Sequence, residues 1–231
     1  MDVGTGAGGL PARPPASVLL GAARLPAPQR PTVKDVAARA EVSRSAASRA
    51  LSGSGYVSQD ARRRVLAAAA DLGYVPHMTA RYLKDRVSRC VGVLCLDLQD
   101  PDDAAVVAGV CAAAREEGLA TMVADLGGRP LDALEGLRDF VAFGVAGVVV
   151  APVSPEPVAY LARYAVPVVE VGRRFAPDRC DAVVRRAGGG VAASREMGRA
   201  AVGLLVRRFL VPARPVELVE VGENGVPRSV T

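Results

Sequence analysis

Arg44, Ser45, Ser48 and Arg49 stand close together in the stretch TVKDVAARAEVSRSAASRAL, Thr32 to Leu51, and their chemistry suits a polyanion. A guanidinium can grip phosphate or make paired hydrogen bonds to a base edge, and a serine hydroxyl can donate to a phosphate oxygen. Such groups act together only when one rigid element holds them on one side. The spacing predicts that element: Ala46, Ala47 and Ala50 share the inner face of a helix that Ser43 can cap, leaving the four polar residues outward. A preceding helix, capped by Thr32, gathers Val33, Val36, Ala37 and Ala40 on one apolar face, with Lys34, Asp35 and Arg39 pointing away. With a turn at Glu41-Val42 between them, the pair forms a helix-turn-helix whose second helix can lie in a DNA major groove.

Charge distribution agrees with this reading. Over the 231 residues the formal net charge is +5, but residues 30–89 hold 12 Lys+Arg against 5 Asp+Glu, while residues 90–231 hold 15 against 18. The positive excess sits with the helix pair, where phosphate binding needs it. Cys90, Cys95, Cys111 and Cys180 lack the paired spacing of metal ligands and the density of a small secreted scaffold, so they read as buried, reduced thiols. The apolar run Ser17 to Ala23 is too short for a secretory core or a membrane span. Residues 1–30, rich in Gly, Pro and Ala, read as a disordered leader. Gly4, Gly6 and Gly9 within it match a dinucleotide-binding spacing by chance, since no strand precedes them. A cytoplasmic protein without cofactor, metal or membrane anchor is expected.

Downstream, SGSGY over Ser52 to Tyr56 predicts a loop, Ser58 caps a third helix running through Arg62 to Leu72, and Gly73 stops it. Val65, Leu66, Ala69 and Leu72 are expected to form its packing stripe, and Arg62-Arg63-Arg64 a solvated face. Pro76 sets an extended entry to a short segment, Ala80 to Leu83, that can make one helical turn with Arg81 exposed.

This run resembles the DNA-binding headpiece and hinge of the LacI (lac repressor) family of bacterial transcriptional regulators. The resemblance rests on the Thr-Val-x-Asp-Val-Ala opening, Val42-Ser43, Ser48-Arg49, Leu51, Val57-Ser58, Gly73-Tyr74-x-Pro76 and Ala80-Arg81-x-Leu83, in a gapless run from Thr32 to Leu83. It implies that Arg44, Ser45 and Arg49 read base edges in the major groove, and that Thr32, Ser43, Ser48 and Tyr56 lie around phosphate contacts. It also implies a hinge that becomes helical when two protomers meet on DNA, Leu83 entering a central minor-groove step and kinking the operator. The expected partners are therefore double-stranded DNA with a palindromic site and a second copy of the chain. His77, the one histidine, has no cluster of metal or catalytic partners and is placed beside phosphate or minor groove. Departures from the family pattern are Glu41 for a glycine, Ala46-Ala47 for Thr-Val, Ser52 for Asn and His77 for Asn. The first of these is expected to strain a left-handed residue by about 1 kcal/mol.

From Cys90 the pattern changes to short apolar runs alternating with helical segments: Val91 to Leu96, Ala104 to Glu117, Ala120 to Ala124, Leu131 to Phe143, Gly147 to Ala151, Pro155 to Tyr164, Val166 to Val171. Continuous apolar strands predict a doubly wound parallel α/β sheet covered on both faces, with ligand sites at the carboxyl ends of the strands. The segment is similar to the first lobe of the same family's effector-binding domain, itself like periplasmic sugar-binding proteins. Pro101, Gly109, Gly147 to Pro152 and Val166-Pro167 leading to Gly172-Arg173 carry that similarity. A strand at Ala182 to Val184 then meets, almost at once, a helix Arg195 to Leu210 that matches a much later family helix, and Pro215 to Val221 matches the carboxyl-terminal strand. A piece of about 100 residues, domain-sized, is missing between them. Val202, Leu205, Val206 and Phe209 are expected to lay the late helix on the sheet.

The expected organisation is a leader (1–30), a headpiece (31–75), a hinge (76–89) and a shortened α/β domain (90–231) retaining most of the first lobe and little of the second. With one wall gone, the effector cleft is poorly enclosed, and a small-molecule effector is doubtful. Asp102, standing with Asp103 where the family often offers aromatic residues, and Arg173 are the remaining candidate effector contacts. Two alternatives stay open: a sugar-binding module of the periplasmic type, or a degenerate regulator without effector response. Asp97-Leu98-Gln99-Asp100 after the first strand would repel phosphate, and no nucleophile-base-acid set is present, so no enzyme is expected.

Overall fold

The computed structural model describes residues 30–75, 88–151, 154–186 and 189–230, which fall in two compact units, one within residues 1–76 and one within 77–231. The expected leader and most of the expected hinge lie outside the described residues.

Among the described residues of the smaller unit three helices follow one another: α1 (Val33–Arg39), α2 (Arg44–Ser52) and α3 (Gln59–Asp71). Each begins on a hydroxyl cap. Thr32 Oγ1 accepts from Asp35 N, Ser43 Oγ from Ala46 N and Ser58 Oγ from Ala61 N, so each helix start has one of its orphan amides satisfied. The core is small and made of small residues: Val36, Ala37, Ala40, Ala47, Ala50, Val65, Ala68 and Ala69, flanked by Leu51, Val57, Leu72 and Tyr74. Leu66, expected in the α3 stripe, is instead half-exposed, and Ala68 takes its place. Successive helical residues are about 100° apart, so the stripe that contains Val65 continues at i+3, i+4 and i+7 and turns Leu66 away.

The larger unit is a seven-stranded sheet in the order β2-β1-β3-β4-β5-β6-β7. Its strands are β1 (Cys90–Cys95), β2 (Ala120–Asp125), β3 (Gly147–Val150), β4 (Val168–Val171), β5 (Asp181–Arg185), β6 (Leu218–Val221) and β7 (Pro227–Val230). All pairings are parallel except β6 with β7. The parallel part was legible in the apolar runs. The antiparallel edge strand β7, Pro-Arg-Ser-Val, was not expected, since four exposed residues, two polar and two not, carry no strand pattern of their own.

Helices cover both faces. On one, α4 (Pro101–Glu116) and α7 (Gly190–Leu210) pack over Val91, Val93, Val149, Val169 and Val183. On the other, α5 (Ala133–Phe143) and α6 (Glu156–Ala162) bring Leu137, Phe140 and Leu161 against Leu94, Val148 and Val150. The alternation of strand side chains between the two clusters is the period-2 geometry of a sheet buried on both sides. Pro101 stands in the first turn of α4, where its missing N–H costs nothing, and Asp100 caps it through Asp102 N at 2.8 Å and Asp103 N. That cap starts the helix three residues earlier than its apolar pattern does. Only residues 186–189 separate β5 from α7, which still lays Val202 and Leu205 into the core with Val206 and Phe209 beside them.

Candidate nucleic-acid interface

α2 turns Arg44, Ser45 and Arg49 outward as the helical spacing requires, but does not separate Ser48 from Ala46. Ala47 and Ala50 are buried, Ala46 and Ser48 are half-buried, and Arg44, Ser45 and Arg49 are exposed. Ser43 Oγ lies 3.0 Å from Ser45 Oγ while accepting from Ala46 N at 3.2 Å, so cap and first turn are tied by one hydroxyl cluster. The free amides and positive dipole end of this helix face the same side as Arg44, an arrangement that favours an anion.

α1 is fixed in front of α2 by two local devices. At its start, Thr32 N and Thr32 Oγ1 both donate to Asp35 Oδ2, at 2.8 and 2.7 Å, closing a capping box. Those bonds, the side-chain one foremost, hold the Asp35 carboxyl below its usual range. Thr32-x-x-Asp35 is the legible signal of this box, and Asp35, expected only to point outward, is its second member. At its end, Val42 N donates to Ala37 O at 3.0 Å and Glu41 N to Ala38 O at 3.3 Å, with Glu41 at φ +53°. This is a Schellman turn with glutamate in the left-handed position, the position expected to be strained. α3 ends in the same pattern, with Tyr74 N on Ala69 O and Gly73 N on Ala70 O, but there glycine takes the left-handed residue at φ +61°.

Charges on the unit are unevenly satisfied. Arg39 pairs with Asp71 at 3.5 Å, and Arg63 and Arg64 both pair with Asp60, leaving Arg30, Lys34, Arg44, Arg49 and Arg62 outside the ion pairs of the described residues. The expected solvated face at 62–64 is therefore half-compensated, while the two arginines of α2 remain available. Tyr56, in the loop between α2 and α3, is 90% exposed, a position a tyrosine ring leaves to water only at a cost in apolar area. Gly55, next to it, escaped the sequence reading, though its backbone passes directly against Arg49. His77, Arg81 and Leu83 lie outside the described residues.

In the larger unit the two candidate effector residues share no hydrogen bond or ion pair among the described residues. Arg173 is exposed on the loop after β4. Asp102, in the first turn of α4, is taken up within the fold: Arg185 at the end of β5 donates to it through Nη2 at 2.9 Å and Nη1 at 3.4 Å, and Ser194 Oγ donates at 2.6 Å. Arg185 Nη2 also donates to Ser194 Oγ, closing the triangle. The Arg185 bond, then that from Ser194, keeps the Asp102 carboxyl below its usual range. Sequence alone shows Arg185 only as a departure from the family's acidic-Asn pair and gives no sign of Ser194 or of the pairing, because Asp102 is 83 and 92 residues away from them. A surface depression lined in part by Arg186, Glu220, Glu223 and Arg228 lies at the β5 and β6 ends and includes neither Asp102 nor Arg173. Among the described residues no group of His, Cys, Asp and Glu could hold a metal ion, and no helix is long and apolar enough to cross a membrane.

Residues 32–77 match the family model of bacterial regulatory proteins, lacI family. The ribose operon repressor of Bacillus subtilis (strain 168) is 36% identical over 125 residues, 54% of this chain and 38% of that protein. The HTH-type transcriptional repressor CytR of Escherichia coli (strain K12) is 37% identical over 94 residues, 41% of this chain and 28% of CytR. The chain thus spans less than two fifths of the length of these curated relatives. Among solved structures, the lac repressor dimer bound to operator and the anti-inducer ONPF aligns with TM-score 0.60 at 20% identity, covering 84% of this chain and 66% of that one. A LacI-family transcriptional regulator from Silicibacter pomeroyi aligns with TM-score 0.59 at 24% identity, covering 83% and 64%. At these identities the two structures establish the fold.

Proposed function

We propose, from the match of residues 32–77 to the lacI family of bacterial regulatory proteins, that the chain is a sequence-specific transcriptional regulator that represses by binding a palindromic operator. One observation carries the reading: α2 exposes Arg44, Ser45 and Arg49 on one face while Ala47 and Ala50 lock the opposite face onto α1 and α3. A helix supported in this way can enter a major groove as a rigid body, so its side chains reach base edges without first being ordered.

Roles follow from chemistry and position. Arg44 and Arg49 carry the donor forks that fit guanine, and Ser45 is short enough to work only at close approach. Ser43, Ser48 and Tyr56 supply hydroxyls around the phosphates, Thr32 lies beside them with its own hydroxyl given to Asp35, and the helix start behind Ser43 adds backbone amides. His77, Arg81 and Leu83 are assigned to the hinge on the family resemblance, Leu83 as the minor-groove wedge. Two headpieces on one site require two chains, so the active species is a homodimer acting in the bacterial cytoplasm. No chemical step is assigned to it.

Effector control is the weaker half of the protein. Asp102, the candidate contact in the family position, is engaged by Arg185 and Ser194, and the described residues supply one sheet to wall a cleft. We therefore propose binding that does not respond to sugars or nucleosides.

Selection of duplexes from a random pool with the full chain, followed by fluorescence anisotropy across salt, tests the reading. A palindromic consensus is expected, with affinity falling steeply as salt rises because phosphate neutralisation releases counterions. Arg49→Ala is expected to lose about 1 to 3 kcal/mol on that consensus. Selection that returns no consensus, or equal binding of wild type and Arg49→Ala on every duplex, would sink it.

A further inference from the structure

Arg49 leaves the last turn of α2, has no ion-pair partner among the described residues, and carries a long, rotatable stem. Something must limit where its guanidinium goes if it is to read one base. The loop that follows provides the limit. Ser52 Oγ donates to Arg49 O at 3.3 Å and lies 2.6 Å from Ser54 Oγ, folding the loop back over the helix end. The chain then turns through Gly55 at φ +75°, and this backbone lies so near the arginine that a methyl group on Gly55 would stand 2.8 Å from Arg49 Cδ, 3.6 Å from Cγ and 4.0 Å from Nε.

We propose that Gly55 is a positioning residue for Arg49: the bare backbone at 55 is the surface on which the arginine stem rests, and it sets the base that the guanidinium reads. The proposal rests on the DNA-binding reading above. Crowding at 55 would be relieved by moving the arginine, because the atom it meets belongs to a flexible side chain and not to the backbone. The fold survives and the aim of Arg49 changes.

Gly53 supplies an internal control. It has nearly the same backbone, φ +72°, but a methyl group there meets nothing within 4 Å. Gly53→Ala and Gly55→Ala therefore share the strain of a left-handed alanine and differ in whether Arg49 is displaced.

The test measures affinity and base preference of the full chain on the selected operator for wild type, Gly53→Ala, Gly55→Ala, Arg49→Ala and the double variant Arg49→Ala with Gly55→Ala. Gly55→Ala is expected to bind about tenfold more weakly, one good base contact's worth, and to lose preference at the same base pair as Arg49→Ala. Gly53→Ala keeps the wild-type preference, and the double variant binds no more weakly than Arg49→Ala alone. Gly55→Asn, whose side chain tolerates the left-handed region, should show the same altered preference with a near wild-type melting temperature, which covers the case of a poorly folded alanine variant. Wild-type preference in both Gly55 variants, or an equal further loss in the Arg49→Ala background, overturns the proposal while leaving DNA binding standing. A wild-type chain that selects no consensus removes both.

Discussion

Gly109 and Gly198 sit where α4 and α7 cross, each against the other helix's backbone. A methyl group on Gly109 would overlap the carbonyl oxygen of Arg195, and one on Gly198 would overlap that of Val106. Neither obstacle is a side chain that can swing aside. The two helices therefore touch main chain to main chain, and the crossing lets α7 cover the sheet although four residues connect it to β5.

Gly109→Ala and Gly198→Ala are accordingly expected to destabilise the larger unit by about 3 kcal/mol each, the upper part of the range for overpacking, since a helix must shift to relieve them. Gly203→Ala, on the same helix with nothing within 4 Å, should be neutral or slightly stabilising. Urea melts of the three variants check this, and an unchanged midpoint for Gly198→Ala would refute the backbone crossing.

Asp181 at the start of β5 is 1% exposed and ties down the end of α7. It accepts from Arg208 Nη2 at 2.7 Å, from Arg214 Nη2 at 2.6 Å and from Glu217 N at 2.8 Å, and Arg214 goes on to Glu217 at 2.8 Å. Asp181→Ala leaves two half-buried guanidinium groups and an amide without their acceptor. A loss of about 3 to 5 kcal/mol is expected, the cost of breaking one side of a buried pair. Chemical denaturation of the variant measures it, and a loss below about 1 kcal/mol, as for an exposed ion pair, would contradict the arrangement.

Glu41→Gly should stabilise the headpiece by about 1 kcal/mol, because the left-handed residue of the α1 turn then carries no Cβ clash. Thermal melting followed by circular dichroism reads the change. The gain is modest because glycine also has more freedom to lose on folding. DNA affinity per folded molecule should change far less than in Arg49→Ala, since Glu41 lies in the turn before α2 and carries no donor for a base or phosphate.

The Thr32 and Asp35 capping box gives the headpiece a dependence on acid. Thr32 favours the ionised carboxylate of Asp35, which in the unfolded chain titrates near its ordinary 3.8. A carboxyl lowered by folding contributes its stabilisation fully above the ordinary value and loses it as pH falls through the lowered one. Asp35→Asn should therefore flatten the acid limb of the headpiece melting curve between about pH 5 and pH 2, leaving the neutral limb parallel to wild type. Retention of the full acid dependence in that variant would assign it to other carboxyls.

Cys95 and Cys180 should resist alkylation. Burial, and then the neighbouring Asp103 for Cys95 and Glu170 for Cys180, push both thiols up to about 12, so at pH 8 each is almost wholly protonated and shielded. Mass spectrometry after iodoacetamide treatment should find both unmodified in native protein and modified after unfolding. Rapid native labelling of Cys180 would show that the segment leading into β5 opens readily.

The amino-acid sequence by itself determined the helix starts at Thr32, Ser43 and Ser58, the alanine face of α2, the outward set Arg44, Ser45 and Arg49, and the apolar runs of the parallel sheet. These depend on neighbours within one or two helical turns, or on a strand's own apolar run, and so are written in the local order of residues. The Leu66 position failed on the same local geometry, by one residue of helical phase. Tertiary structure alone decided the rest. Asp102 finds Arg185 and Ser194 across 83 and 92 residues, and Asp181 finds Arg208 and Arg214 across 27 and 33. β7 forms because β6 offers it an edge to pair with, its own residues carrying no strand pattern. Gly55 reads in the sequence as one more loop glycine, and becomes a support for Arg49 only once α2 ends and the chain folds back. Periodicity specifies which way a side chain leaves its own element, but the atoms it then meets are fixed by the closing of loops and the crossing of helices, which no local pattern encodes.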